Sequence, residues 1–357
     1  MAEKKKYASV GGQAVMEGIM MRSPIKSVLA VRKPNGEIHT ETVDMKKSIK
    51  EKYKFLALPV IRGVVSFVES MVVGYKSLMR SAEIAAFEDE NEKTESEKAA
   101  EALEQTAENA ETVNVDKAET KAVKDKKEKK KEESEGGFIL YISLFLGVIL
   151  GVGLFVALPQ LITNYGIESL FNVKLGMWEQ LVKGIIRILI VLLYILLVAS
   201  TKEIKKLFKY HGAEHKTIFC FENREELTVE NVKKFSRLHP RCGTSFLLIV
   251  MIVSILFYTF IYMIPALGSL NPFIKIPINL LFLPIVAGCS FEVLRFTGRH
   301  DNWFTHILAA PGKAFQLLTT KDPDDEQIEV AIVALKESLI NEKTGEMDYD
   351  AAYRVSK

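Results

Sequence analysis

His211, Glu214 and His215 stand together in the run HGAEH, the part of this sequence with the clearest capacity for chemistry. Two histidines four residues apart project from one face of a helix, where they can chelate a single divalent ion with the acid beside them. The order His-x-x-Glu-His is the inverted zinc-protease arrangement, in which imidazoles bind metal and the glutamate takes a proton from water. Five residues are a weak signature alone, and two core histidines with ordinary hydrogen bonds would give the same pattern. Ile204, Phe208, His211, His215 and Ile218 share one side of a helix at 3.6-residue spacing, so the histidines are expected to face packed structure. Gly212 weakens a helix by about 1 kcal/mol relative to alanine, so a helix end would also suit it.

A third ligand is open among His239, Cys242 and Glu292, each chemically suitable for a zinc-like divalent ion. Glu292 could equally pair with Arg295, and the HPRCG run from His239 to Gly243 could equally anchor a membrane span. Arg241 within that run either neutralises an anionic substrate group or faces lipid headgroups. His300, Asp301 and His306 follow close behind in sequence.

Whatever holds these groups must fit an alternating chain. Across 357 residues, 48% hydrophobic and 26% charged, the averages conceal apolar blocks separated by highly charged ones. Phe138 to Ile162, Leu181 to Ala199, Phe246 to Leu267 and Ile276 to Leu294 each approach the ~20 residues that cross a bilayer core. Their charges, Lys183, Arg187 and Glu292, lie near the ends, where long side chains reach the interface. Lysines at 126, 127, 129, 130 and 131 precede the first span, and the stretch from Lys202 to Arg241 is basic, so both are expected in the cytoplasm. This predicts a multi-pass protein of the bacterial cell membrane with both termini cytoplasmic. No cleavable signal pattern follows Met1 to Ser9. Three scattered cysteines, Cys220, Cys242 and Cys289, do not make a disulfide framework.

The remaining segments divide by composition. Residues 1–54 are expected to be β-rich, with a hairpin of Val28–Arg32 and Glu37–Val43 around Pro34-Asn35-Gly36. The Gly- and Met-dense GGQAVMEGIMMR, Gly11 to Arg22, reads as a buried strand and turn. Residues 55–87 read as an amphipathic helix on the membrane or against the spans, with Arg62, Glu69 and Lys76 stacked at seven-residue spacing. Residues 88–135 lack aromatic side chains and are expected to form a disordered or loosely helical linker. Spans occupy 136–200 and 245–295, a cytosolic loop 201–244, and a cytosolic tail 296–357 whose DPDD opens a capped helix over Asp322–Leu339. The predicted fold is an α-helical integral membrane protein of four transmembrane helices. Its cytosolic α+β assembly is expected to form from discontinuous segments: the N-terminal hairpin, the second-to-third loop and the C-terminal helix.

GGQAVMEGIMMR, YHGAEHK from Tyr210, HPRCGTSF from His239 and QLLTTKDPDDEQIEVAIVAL from Gln316 resemble the YqhQ-like family of bacterial membrane proteins. Members are described as predicted metal-dependent enzymes, so the resemblance implies a metal site among His211, Glu214, His215, His239, Arg241 and Cys242. The reading is a membrane-embedded, metal-dependent hydrolase acting on a lipid-linked or membrane-proximal substrate, with membrane lipids as partners. Its rival is a non-catalytic scaffold with a structural metal or a histidine cluster. Apolar span middles argue against a transporter, and the absence of aromatic-interleaved basic patches argues against nucleic acid.

Overall fold

A computed structural model of the chain describes residues 8–43, 49–108, 142, 145–300, 302–341 and 344–354. Four strands form an antiparallel meander in chain order: β1 (Gly11–Val15), β2 (Gly18–Arg22), β3 (Ser27–Arg32) and β4 (Ile38–Val43). Val15 pairs with Gly18, so Met16 and Glu17 alone turn the first hairpin, and Glu17 takes a positive φ of 53° to do so. Gly36, at φ 88°, supplies the left-handed residue in the turn between β3 and β4.

The principal helices are α1 (Ile61–Glu108), α2 (Phe145–Ser169), α3 (Glu179–Val198), α4 (Lys202–Glu222), α5 (Val229–Lys233), α6 (Gly243–Tyr262), α7 (Pro272–Arg299), α8 (Trp303–Thr319) and α9 (Asp325–Ser338). Among the described residues, four helices are long and apolar enough to cross a membrane: α2, α3, α6 and the Ile274–Gly298 part of α7. At 1.5 Å per residue the 20-residue ones cover roughly 30 Å, the thickness of a hydrocarbon core. The first span runs to Ser169 rather than Ile162, because π-helical turns over Ile162–Ser169 continue it into the expected loop. Positions 138–141 at its expected start lie outside the described residues, as do the lysines at 126–131, positions 109–135 of the expected linker, and Asp301. Helical backbone continues to Glu108, well past the expected helix boundary at 87.

The chain divides into two compact units, one of residues 1–89 with 192–357 and one of residues 90–191. In the second, Lys183 is ion-paired to Glu179 one turn earlier, and Arg187 donates to the carbonyl of Phe155 at 2.9 Å. That carbonyl belongs to a π-helical turn, Gly153–Ala157.

In the first unit the central strands are buried on both faces, because alternation sends successive side chains to opposite sides and each side is covered. Ile19, Met21 and Ala30 point into a core shared with Tyr210, Ala213 and Ile218 of α4 and Ile328, Ala331 and Leu335 of α9. Met20, Leu29 and Val31 point the other way, onto Ile84 with Val73 and Leu78 of α1. The N-terminal strands, the α4 segment and the C-terminal helix thus share one α+β core although they are far apart in sequence. A capping box at Asp324 and Gln327 starts α9, inside the expected Asp322–Leu339. Tyr258 and Tyr262 of α6 bond Asn279 of α7, at 2.6 Å to its carbonyl and 2.7 Å to its side chain, which fixes these two helices antiparallel.

Candidate metal centre

Helix α4 carries the HGAEH run in its middle, and Tyr210 to His215 are all buried. Gly212 is therefore no helix end. A Cβ there would collide with the carbonyl of Lys321, whose own N–H donates to the carbonyl of Phe208 at 2.9 Å. Glycine admits the strand-like 320s against the helix, and that packing offsets its poor helix propensity.

Backbone carbonyls decide the tautomers of both α4 histidines. His211 Nδ1 lies 2.9 Å from the Thr319 carbonyl, and His215 Nδ1 lies 2.5 Å from the Arg237 carbonyl. A carbonyl only accepts, so each Nδ1 carries the hydrogen and each Nε2 presents a lone pair. Cys242 caps the N-terminus of α6, with the Thr244 N–H donating to its Sγ at 3.4 Å. Its Sγ lies 3.2 Å from His211 Nε2, while the buried Nε2 atoms of His215 and His239 have no hydrogen-bond partner among the described residues.

One potential ligand atom from each of His211, His215 and Cys242 lies within 4.8 Å of the other two, and all three residues are buried. Zinc bonds of roughly 2.0–2.3 Å hold ligands about 3.3–3.8 Å apart; His211 Nε2 and Cys242 Sγ are already that close, and the widest separation would close by at most about 1 Å. Two imidazole nitrogens and a thiol, with an orphaned buried Nε2 among them, fit a zinc-like ion. Burial holds His215 below the ordinary histidine range, with Cys242 acting in the opposite direction, so the ring stays neutral as a ligand must.

The other sequence candidates divide around this group. His239 is close, its ring centroid 5.6 Å from that of His215, but it has the opposite tautomer. The Arg241 N–H donates to its Nδ1 at 3.3 Å, so in the neutral ring the hydrogen sits on Nε2. Burial lowers its pKa to about 4, and that Nε2 lies 3.6 Å from Glu222. Glu292 stands apart as well. Arg62 donates two hydrogen bonds to its carboxylate at 2.6 and 2.5 Å, with the charge of Arg295 also acting on it, and Glu292 is not part of the His211, His215 and Cys242 group. Arg241 donates to Glu222 and, at 3.1 Å, to the Ala8 carbonyl, so its guanidinium is held by the protein rather than turned to a headgroup. His300 and His306 lie on the surface, outside the group.

Glu214 is buried beside the group without joining it. Burial raises its carboxyl above the usual carboxylate range, opposed by His211, His239 and the Gly12 N–H. A Cβ on Gly12 would come within 3.0 Å of the Glu214 carboxyl carbon, so β1 makes room for this side chain only by having glycine there.

Sequence reasoning missed the residues that hold the group in place. Gln316 of α8 accepts from the His239 N–H and donates to the His239 carbonyl and the Ser245 hydroxyl, each at 2.8 Å. It thereby clamps the turn that carries Cys242. Its only signal was membership of the QLLTTKDPDDEQ run; Glu222 had none.

A family model described as "Protein of unknown function (DUF1385)" matches residues 58–341. The chain belongs to the DUF1385 family. "Uncharacterized protein YqhQ" of Bacillus subtilis (strain 168) is 30% identical over 361 residues, covering 99% of this chain and 100% of that protein. The YqhQ-like resemblance of the motifs therefore extends along the whole chain. No solved structure matches it. The DUF1385 segment contains His211, His215, Cys242 and Gln316, while Gly12 and the sheet precede it.

Proposed function

We propose that this DUF1385 protein is a multi-pass membrane protein, termini in the cytoplasm, that binds one divalent metal ion at His211, His215 and Cys242 and is a hydrolase. Its substrate is lipid-linked or membrane-proximal and is met at the cytoplasmic surface. The observation that carries the reading is the convergence of two Nε2 lone pairs and a thiol, each imidazole oriented by a backbone carbonyl. Carbonyl-oriented histidines are the usual outer shell of a metal site. Three protein ligands rather than four is the count of catalytic zinc, which keeps one position for water or substrate.

When bound, the ion supplies Lewis acidity and makes a water easier to deprotonate. Glu214, held over Gly12 with a raised pKa, would take a proton from water at its carboxylate and return it to the leaving group. Arg241 is a positioning residue, tying the Cys242 turn to Glu222. A second reading, a scaffold with a structural metal, draws support from the burial of all three ligands.

The test is metal content by mass spectrometry on detergent-purified full-length protein, beside His211→Ala, His215→Ala and Cys242→Ser. About one zinc per wild-type chain, lost in each variant, is the expected result. Well-folded wild type that takes up no zinc, manganese or iron would overturn the hydrolase reading and leave a scaffold with a hydrogen-bonded histidine cluster. With metal bound, Glu214→Gln separates the two readings: loss of complementation in a deletion strain with metal retained supports the hydrolase, and full complementation supports the scaffold.

A further inference from the structure

Away from the metal group, a cavity of about 490 Å³ is lined by Lys50, Ala57, Arg62, Ser66, Phe291 and Arg295. We infer that it binds the phosphate headgroup of an anionic phospholipid whose acyl chains lie along the exposed apolar side chains at the start of α1. The cavity is a consequence of how α1 begins. Val60, a β-branched residue at φ 69°, reverses the chain just before the helix, and Gly288 and Gly63 admit the close crossing of this turn with α7. The crossing leaves a gap between the segment around Lys50 and Ala57 on one side and the end of α7 on the other.

Three cations, Lys50, Arg62 and Arg295, line this gap. Arg62 is held by Glu292 at 2.5 Å, and Lys50 lies 2.6 Å from the Ser66 hydroxyl and 3.6 Å from Glu69. Arg295 is the third cation of the wall, and Arg62 and Lys50 are already oriented by their partners. A phosphate added there gains charge-assisted hydrogen bonds without ordering long, mobile side chains. The volume suits a glycerophosphate headgroup.

Free phosphate would account for the cations but not for what surrounds them. Phe55, Leu58 and Ile61 are 61%, 54% and 39% exposed beside the cavity, and Phe291 and Ala57 form part of its wall. Arg295 and Glu292 lie in the last turns of a helix long and apolar enough to span a membrane, at the depth where headgroups meet acyl chains. Basic groups beside apolar side chains at that depth are the arrangement that recognises anionic lipid.

The test titrates dioctanoyl phosphatidylglycerol into full-length protein in neutral maltoside detergent at 0.15 M salt, with native mass spectrometry counting bound lipid. Dioctanoyl phosphatidylcholine and inorganic phosphate serve as comparison ligands. Wild type is expected to retain one phosphatidylglycerol and to prefer it over phosphatidylcholine. Lys50→Gln with Arg295→Gln should weaken binding about thirtyfold, at roughly one interfacial cation's contribution each. Lys50→Gln alone, on the rim, should give about fivefold and guards against misfolding of the double variant, whose unliganded melting is recorded in parallel. Lys202→Gln with Lys205→Gln removes the same charge from the start of α4 and should leave binding unchanged. Equal weakening in that control, equal retention of phosphatidylcholine, or displacement of the lipid by millimolar inorganic phosphate would each overturn the inference.

Discussion

Replacing Gln316 by leucine tests the tertiary logic of the proposed metal centre without touching a proposed ligand. The side chain is fully buried and of similar volume to leucine, so the change removes hydrogen bonds while leaving little cavity. Three contacts at 2.8 Å disappear, and the N–H and carbonyl of His239 are left without their Gln316 partner. The carbonyl keeps the Cys242 N–H at 3.4 Å, whereas the N–H is left unsatisfied at a cost of about 1–3 kcal/mol, so a loss of roughly that size follows. Cys242 lies three residues beyond His239, on the same turn, so the ligand loses its orientation with the clamp. Loss of such an outer-shell support lowers metal affinity about 10–100-fold. Thermal unfolding of detergent-solubilised full-length protein, with and without zinc, gives the first quantity, and competition with a zinc chelator gives the second. A Gln316→Leu protein whose melting and zinc affinity match wild type would refute the claim that this clamp positions the Cys242 turn.

Further outcomes follow from the same geometry. Gly212→Ala should destabilise by about 2 kcal/mol in thermal unfolding despite alanine's better helix propensity, because the added Cβ meets the Lys321 carbonyl; a more stable variant would contradict that close approach. Glu292→Gln should leave zinc stoichiometry unchanged while costing about 1–2 kcal/mol through the partly exposed Arg62 it leaves behind, and loss of zinc would restore Glu292 as a ligand. Burial pushes the Cys220 thiol from 9.0 up to about 11. Its raised folded pKa contributes stability that is complete below pH 9 and lost as pH rises through 11. At pH 8 its alkylation should be roughly 100-fold slower than that of a free thiol until the protein unfolds, as read by peptide mass spectrometry.

Several elements were legible in the chain because their cause is local. Apolar runs of about 20 residues need no partner to be read as spans, and the capping pattern at Asp324 and the Asn35-Gly36 turn signal are written in adjacent residues. Less local features came through only roughly. The reach of the first span to Ser169 depends on π-helical turns that hydropathy does not register, and α1 proved to be one cover of the sheet as well as an amphipathic segment.

By itself, then, the sequence determined the four apolar helices, the β3–β4 hairpin and the pair of imidazoles on one face of α4, while the Gly11–Arg22 run, read as one buried strand and turn, is the two strands β1 and β2. It left the third member of the group open among His239, Cys242 and Glu292, because each has suitable ligand atoms. Tertiary structure alone separates them. Carbonyls from Thr319 and Arg237 fix the two α4 rings with Nε2 lone pairs converging on Cys242, while the Arg241 N–H turns His239 to the opposite tautomer and Arg62 engages Glu292. The physical reason is that a ligand is defined by where its lone pair points, and that direction is set by hydrogen bonds from residues up to 230 positions away in the chain.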